Sequence, residues 1–167
     1  MFTQQVIEKA EELFLCYGIR SVSMDDIARE LGVSKKTLYQ HLDNKSDLVK
    51  QIIQKKAEED VRVISQKQTE AANAIAELLS VAGYLIEQLR KLTPTFRYDL
   101  EKYYREVHEE IDSQHAAFFL ALTEANLKRG IQEGLYRQDL NISITAKVIP
   151  IYSQPNRKGS IFSYRGF

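Results

Sequence analysis

A chain of 167 residues is long enough to bury a core, and its formal net charge of zero excludes a uniformly basic nucleic-acid coat. With no Trp, 7 Gly, 3 Pro and abundant Glu, Lys, Leu, Ala and Ile, the composition predicts an all-α protein. Cys16 is the single cysteine, which excludes an internal disulfide and fits a reducing compartment. The opening stretch is interrupted by Glu8, Lys9, Glu11 and Glu12, and no apolar run reaches membrane length. A cytoplasmic protein without a membrane partner is therefore expected.

Thr3 is placed to cap a first helix whose Val6, Ile7, Ala10, Leu13, Phe14 and Tyr17 recur at helical spacing, and Gly18 supplies its stop. On that helix Cys16 reads as a small core or boundary residue rather than a redox sensor. Ser23 is an N-cap with Asp26 as its capping-box partner, so a second helix starts there, buries Ile27, Ala28 and Leu31, and ends at Gly32. Ser34 caps a third helix with Leu38 and Leu42 on its apolar side, leaving Lys35, Lys36, Thr37, Tyr39, Gln40 and His41 facing away from the core. Two short helices joined by a tight Gly-containing turn form the helix-turn-helix pattern, whose second helix enters the major groove. The residue types suit that task. Lys35 and Lys36 fit phosphate or guanine, Gln40 can pair with adenine, and the Thr37 methyl or Tyr39 ring can meet a thymine methyl or a phosphate. Spacing alone equally allows the solvated face of a small helix.

The run Ala28, Leu31-Gly32-Val33-Ser34, Thr37-Leu38-Tyr39-Gln40-His41-Leu42, Asn44-Lys45 and Leu48 closely resembles the DNA-binding signature of the tetracycline-repressor (TetR) family of bacterial transcription regulators. The resemblance implies a dimeric repressor that binds a palindromic double-stranded DNA operator and is released by a small-molecule effector. It implies DNA contacts from Ser23, Ser34, Lys35, Lys36, Thr37, Tyr39, Gln40 and His41, with Lys45 on a phosphate at the start of the next helix. A helix N-terminus and a cation both favour that anion. The expected architecture is an N-terminal three-helix helix-turn-helix domain over 1–46, a helical bundle for ligand binding and dimerisation over 47–150, and an atypical tail over 151–167.

Asn44 caps a long helix with Leu48, Val49, Ile52, Ile53, Ala57, Val61 and Ile64 as its apolar positions, a rigid connector from head to body. Charge is segregated along it. Lys35, Lys36, Lys45, Lys50, Lys55 and Lys56 face only Asp43 and Asp47 between Gly32 and Lys56, whereas Ala57 to His115 is acidic. From about Thr69 an apolar stripe of Ile75, Leu78, Leu79, Ala82, Leu85, Ile86, Leu89 and Leu92 reads as bundle core, ended by Pro94. A short helix around Phe96 to Tyr104 and a long one from about Glu106 to Glu133 follow, the latter carrying Ile111, Phe118, Phe119, Leu122, Ala125 and Leu127. The segment Gly130 to Asn141 then ends one helix and caps the next, and it too resembles the corresponding family segment. After Ile149 the resemblance fails, because Pro150, Pro155, Gly159 and Gly166 crowd a segment with no visible amphipathic helix. The family's last two helices usually build a four-helix dimer contact, and that part of the pattern is missing here.

Tyr84, Phe96, Tyr103, Phe118 and Phe119 are the candidate ligand-pocket residues, with plain core packing as the alternative. His108 and His115 lie two turns apart on one helix near Glu109, Glu110 and Asp112, too far for an i, i+4 ligand pair, so no metal is expected. Neither a cofactor nor catalysis is expected, since no Ser-His-Asp spacing, phosphate loop or carboxylate pair stands out. A second reading is a helical interaction or ligand-sequestering protein that has lost paired DNA binding.

Overall fold

The computed structural model describes residues 2–148, and within them the chain forms α1 (Phe2–Tyr17), α2 (Met24–Glu30), α3 (Lys35–Tyr39), α4 (Lys45–Glu70), α5 (Ala74–Lys91), α6 (Pro94–Tyr103), α7 (Arg105–Gln132) and α8 (Ile142–Val148). Short polar side chains set most of the starts by accepting otherwise orphaned amides. Ser23 Oγ takes the Asp26 N–H at 3.1 Å while the Asp26 carboxylate takes the Ser23 N–H at 2.8 Å, the expected capping box. Ser34, Asn44, Asn73 and Asn141 cap α3, α4, α5 and α8 in the same way. Pro94 does more than stop α5, since it occupies the first turn of α6, where its missing N–H leaves no bond unmade. Thr3 is not a cap, because α1 already runs from Phe2.

Two cores result. The first joins Val6, Ala10 and Phe14 of α1, Ile27 of α2, Leu38 of α3 and Leu48, Val49 and Ile52 of α4 to Phe96 of α6. The expected division at 46/47 therefore runs through a single packed cluster. The second core holds Ile64, Val81, Leu85, Phe119 and Leu122, with Tyr84 and Phe118 against it. Head and body are joined where Gly18 ends α1. At φ +84° an L side chain is strained, and a Cβ there would stand 2.6 Å from Thr95 Cγ2 of α6. Beside it, the Arg20 N–H donates to buried Asp99 at 2.8 Å, and the Arg20 guanidinium reaches the Tyr103 hydroxyl at 2.7 Å.

Several expectations about faces fail. The stripe read as bundle core on α5 is largely solvent-facing: Leu79 is 68% exposed, Ile86 51% and Ile75 41%. Of that stripe α5 buries Leu85, together with Ala74, Glu77 and Val81 from outside it. It is apolar on two sides, and polar bonds from its neighbours select the other side: Asn126 donates to the Ala74 carbonyl, Lys67 to Ser80, and Tyr84 to Asp60. Tyr17, Val61 and Ala125 are likewise exposed, because α1, α4 and α7 turn those positions away from the other described helices. Cys16 is exposed too, not a core residue. The predicted tail over 151–167 lies outside the described residues.

Candidate nucleic-acid interface and ligand cavity

The turn at Gly32 (φ +65°) directs α3 across α2 and fixes which α3 side chains are outermost. Leu38 is fully buried and Leu42 nearly so, which anchors the helix from one side. Lys36, Tyr39, Gln40 and His41 are exposed on the other, although the helix itself ends at Tyr39 and Gln40 and His41 belong to the turn after it. Thr37 is half-buried, and its hydroxyl meets Ser34 Oγ at 2.8 Å. Three of the expected contact residues are already engaged. Ser23 and Ser34 spend their oxygens as caps, and Lys35 pairs with Asp25 at 2.9 Å, a carboxylate that raises the ammonium pKa. Lys45 is turned inward: it is half-buried with Nζ 5.7 Å from the Phe14 ring centroid, and burial lowers its pKa against the opposing pull of Asp99 and Asp26. A phosphate contact requires it to leave that ring.

A cavity of about 140 Å³ lies between α4, α5, α6 and α7. Ile53, Leu85, Leu89, Phe96, Leu100 and Ile111 supply its apolar wall, and Lys56, Asp60, Arg97, Glu101, His108, Asp112 and His115 a charged one. Of the five aromatics expected to line a pocket, Phe96 does so. Phe118 and Phe119 pack in the second core, drawn there by Val81 and Leu85. Tyr84 stands behind the wall, donating to Asp60 Oδ1 at 2.5 Å; burial and that carboxylate push its phenol pKa up. Tyr103 is 42% exposed at the head-body joint, held by Arg20 rather than by the cavity.

The polar wall escapes a search for aromatics. His108 Nδ1 meets Asp112 at 3.0 Å, and this bond raises the imidazole pKa, while burial lowers that of His115. The two histidines are brought to one cavity by their two-turn spacing. No group of three or more His, Cys, Asp or Glu able to hold a metal occurs among the described residues.

Residues 6–52 match the family described as bacterial regulatory proteins, tetR family. The same region is 44% identical over 52 residues to an HTH-type transcriptional regulator of Staphylococcus aureus strain USA300, covering 31% of this chain and 28% of the relative. This domain is a TetR-family head. The chain spans under a third of that relative's length in the match, so the likeness is a likeness of heads. For the fold the comparison reaches further. A fatty acid degradation regulator, FadR, from Bacillus halodurans superposes with a TM-score of 0.69 at 23% identity over 87% of this chain and 76% of its own. FadR from Bacillus subtilis in complex with stearoyl-CoA gives 0.68 at 22% over 86% and 78%, and a transcriptional regulator from Cytophaga hutchinsonii gives 0.74 at 18% over 86% and 74%. The TetR-family head and the helical body thus have the architecture of regulators of this kind, all-α with a helix-turn-helix at the N-terminus. No described helix is long and apolar enough to cross a membrane.

Proposed function

We propose that this chain is a transcription regulator, of repressor type, that places Lys36 to His41 in the major groove of a palindromic operator as one half of a dimer. The observation that carries the reading is the α2-turn-α3 unit: Leu38 and Leu42 are buried, which holds Lys36, Tyr39, Gln40 and His41 outward together on one short segment. Lys36 supplies charge to phosphate or guanine, and Gln40 supplies the paired donor and acceptor that adenine requires. Exposed Ile75, Leu79, Ile86, Ile144 and Val148 give the body apolar surface that a second copy can cover.

The effector in this reading is an amphipathic small molecule in the cavity beside α6. Phe96 belongs to the head core and also lines that cavity, so a ligand touching Phe96 touches the packing of α1. It shifts DNA binding only by its differential affinity for the two head arrangements. Arg97 on the wall suits an anionic head group, whereas Lys56 is paired with Asp60 and Glu59, and an acyl thioester, the class bound by the Bacillus subtilis relative, is one such ligand.

Mobility shift against genomic fragments, combined with sedimentation at micromolar protein, tests the proposal. Lys36→Ala should weaken specific and random DNA alike and reduce the salt slope by about one unit. Gln40→Ala should relax preference among operator variants. Unchanged DNA affinity in both variants refutes the assigned face. Self-association without any DNA binding favours the interaction-protein reading, which the exposed α5 residues support.

A further inference from the structure

A second cavity, of about 260 Å³, opens between α5, α7 and α8 and shares no lining residue with the first. Glu77 on its wall precedes Leu85 of the first cavity by eight positions on α5 (85 minus 77), roughly 12 Å along the axis. Leu78, Val81, Leu122, Leu127 and Leu140 make the wall chiefly hydrocarbon.

The polar groups that reach it are mostly engaged. The Thr123 hydroxyl donates to the Phe119 carbonyl at 2.8 Å, Asn126 Nδ2 to the Ala74 carbonyl at 2.9 Å, and the Tyr136 hydroxyl to Asn126 Oδ1 at 3.0 Å. Among the buried ones Glu77 is the exception. It is 1% exposed, its Oε2 accepts from Arg129 at 3.1 Å, and its Oε1 has no hydrogen-bond partner among the described residues. Arg129 does not neutralise the site, because it also pairs with Glu133 at 2.7 Å, so the three side chains together carry one negative charge. A bare carboxylate oxygen beside hydrocarbon is costly until it receives a donor, and a cationic donor relieves both the missing bond and the excess charge. An anion would meet the uncompensated carboxylate, and a neutral alcohol supplies the bond without the charge.

We propose that this cavity binds a small lipophilic ammonium ion, its N–H donating to Glu77 Oε1 and its hydrocarbon lying against Val81, Leu122 and Leu127. The site is separate from the effector cavity proposed above and stands or falls independently of it.

Isothermal titration of the full chain with 2-phenylethylamine near neutral pH, against 2-phenylethanol and phenylacetate, tests the assignment. Saturable binding of the amine is expected, with the alcohol and the carboxylate much weaker. Glu77→Gln should weaken the amine roughly tenfold to a hundredfold, the range for a hydrogen bond to a charged group. Thr145→Phe, which fills the cavity from α8 and leaves the Glu77–Arg129 pair intact, should abolish binding and serves if Glu77→Gln fails to fold by circular dichroism. Glu101→Gln, on the charged wall of the first cavity, should change nothing. The proposal is overturned if the amine does not bind, if the alcohol binds as well, if binding survives Glu77→Gln or Thr145→Phe, or if Glu101→Gln removes it.

Discussion

Gly130→Ala should destabilise the protein although it replaces glycine with the best helix former inside a helix. Gly130 is buried in the last turn of α7, and a Cβ there would stand 2.1 Å from Tyr136 Cδ2 and 2.2 Å from Cε2. The ring cannot simply step aside. The amides of Leu135 and Tyr136 both donate to the Gly130 carbonyl, at 2.8 and 3.0 Å, and the Tyr136 hydroxyl is bonded to Asn126. Helix propensity favours alanine by about 1 kcal/mol. Overpacking opposes it by about 1–3 kcal/mol, and displacing the Tyr136 hydroxyl from its acceptor costs about 1 kcal/mol more. The net expectation is a loss of about 1–3 kcal/mol, read as a lower urea midpoint by circular dichroism at constant slope. In a Tyr136→Ala background the clash has no partner, so the same substitution should stabilise by up to about 1 kcal/mol. A neutral or stabilising Gly130→Ala in the unaltered chain refutes the close-approach argument, as does an effect of the same sign in both backgrounds.

Three further outcomes are expected. Asp99→Ala leaves the Arg20 N–H without its charged acceptor at the head-body joint, and urea unfolding should register a loss of about 1.5–3 kcal/mol. Removing the α4 cap with Asn44→Ala should cost about 1 kcal/mol in the same assay, and Asn44→Ser should restore most of it. The His108 pKa is raised in the fold by Asp112, so the stability this pair contributes is fully present below the ordinary histidine value of about 6.5 and is lost as pH rises through the folded value. The stability gap between the unaltered chain and Asp112→Asn should therefore shrink as pH rises above the ordinary histidine value of about 6.5; a gap that widens or stays constant contradicts the pairing.

Local chemistry determined much of this protein. Ser23 with Asp26, Ser34, Asn44 and Asn141 act on amides three residues away, and Gly18 and Gly32 take the positive φ their stops require, so helix starts and stops could be read without knowing what packs on what. The exposed segment after Ser34 was legible for the same reason, since Leu38 and Leu42 are its sole large aliphatic residues and fix the buried side. What the sequence left open was the choice between faces on helices apolar on more than one side. On α5, Ile75, Leu79 and Ile86 compete with Ala74 and Val81, and periodicity ranks the first set higher by bulk. The decision came from Asn126, Arg129 and Tyr136, more than 40 residues away in sequence, whose hydrogen bonds require the Ala74–Glu77 side to face inward. The cavity walls depended on that choice. Side chains such as Phe119 became core and Tyr103 surface because burial of an aromatic is settled by which neighbouring helix arrives over it, a long-range event that no spacing within one helix encodes.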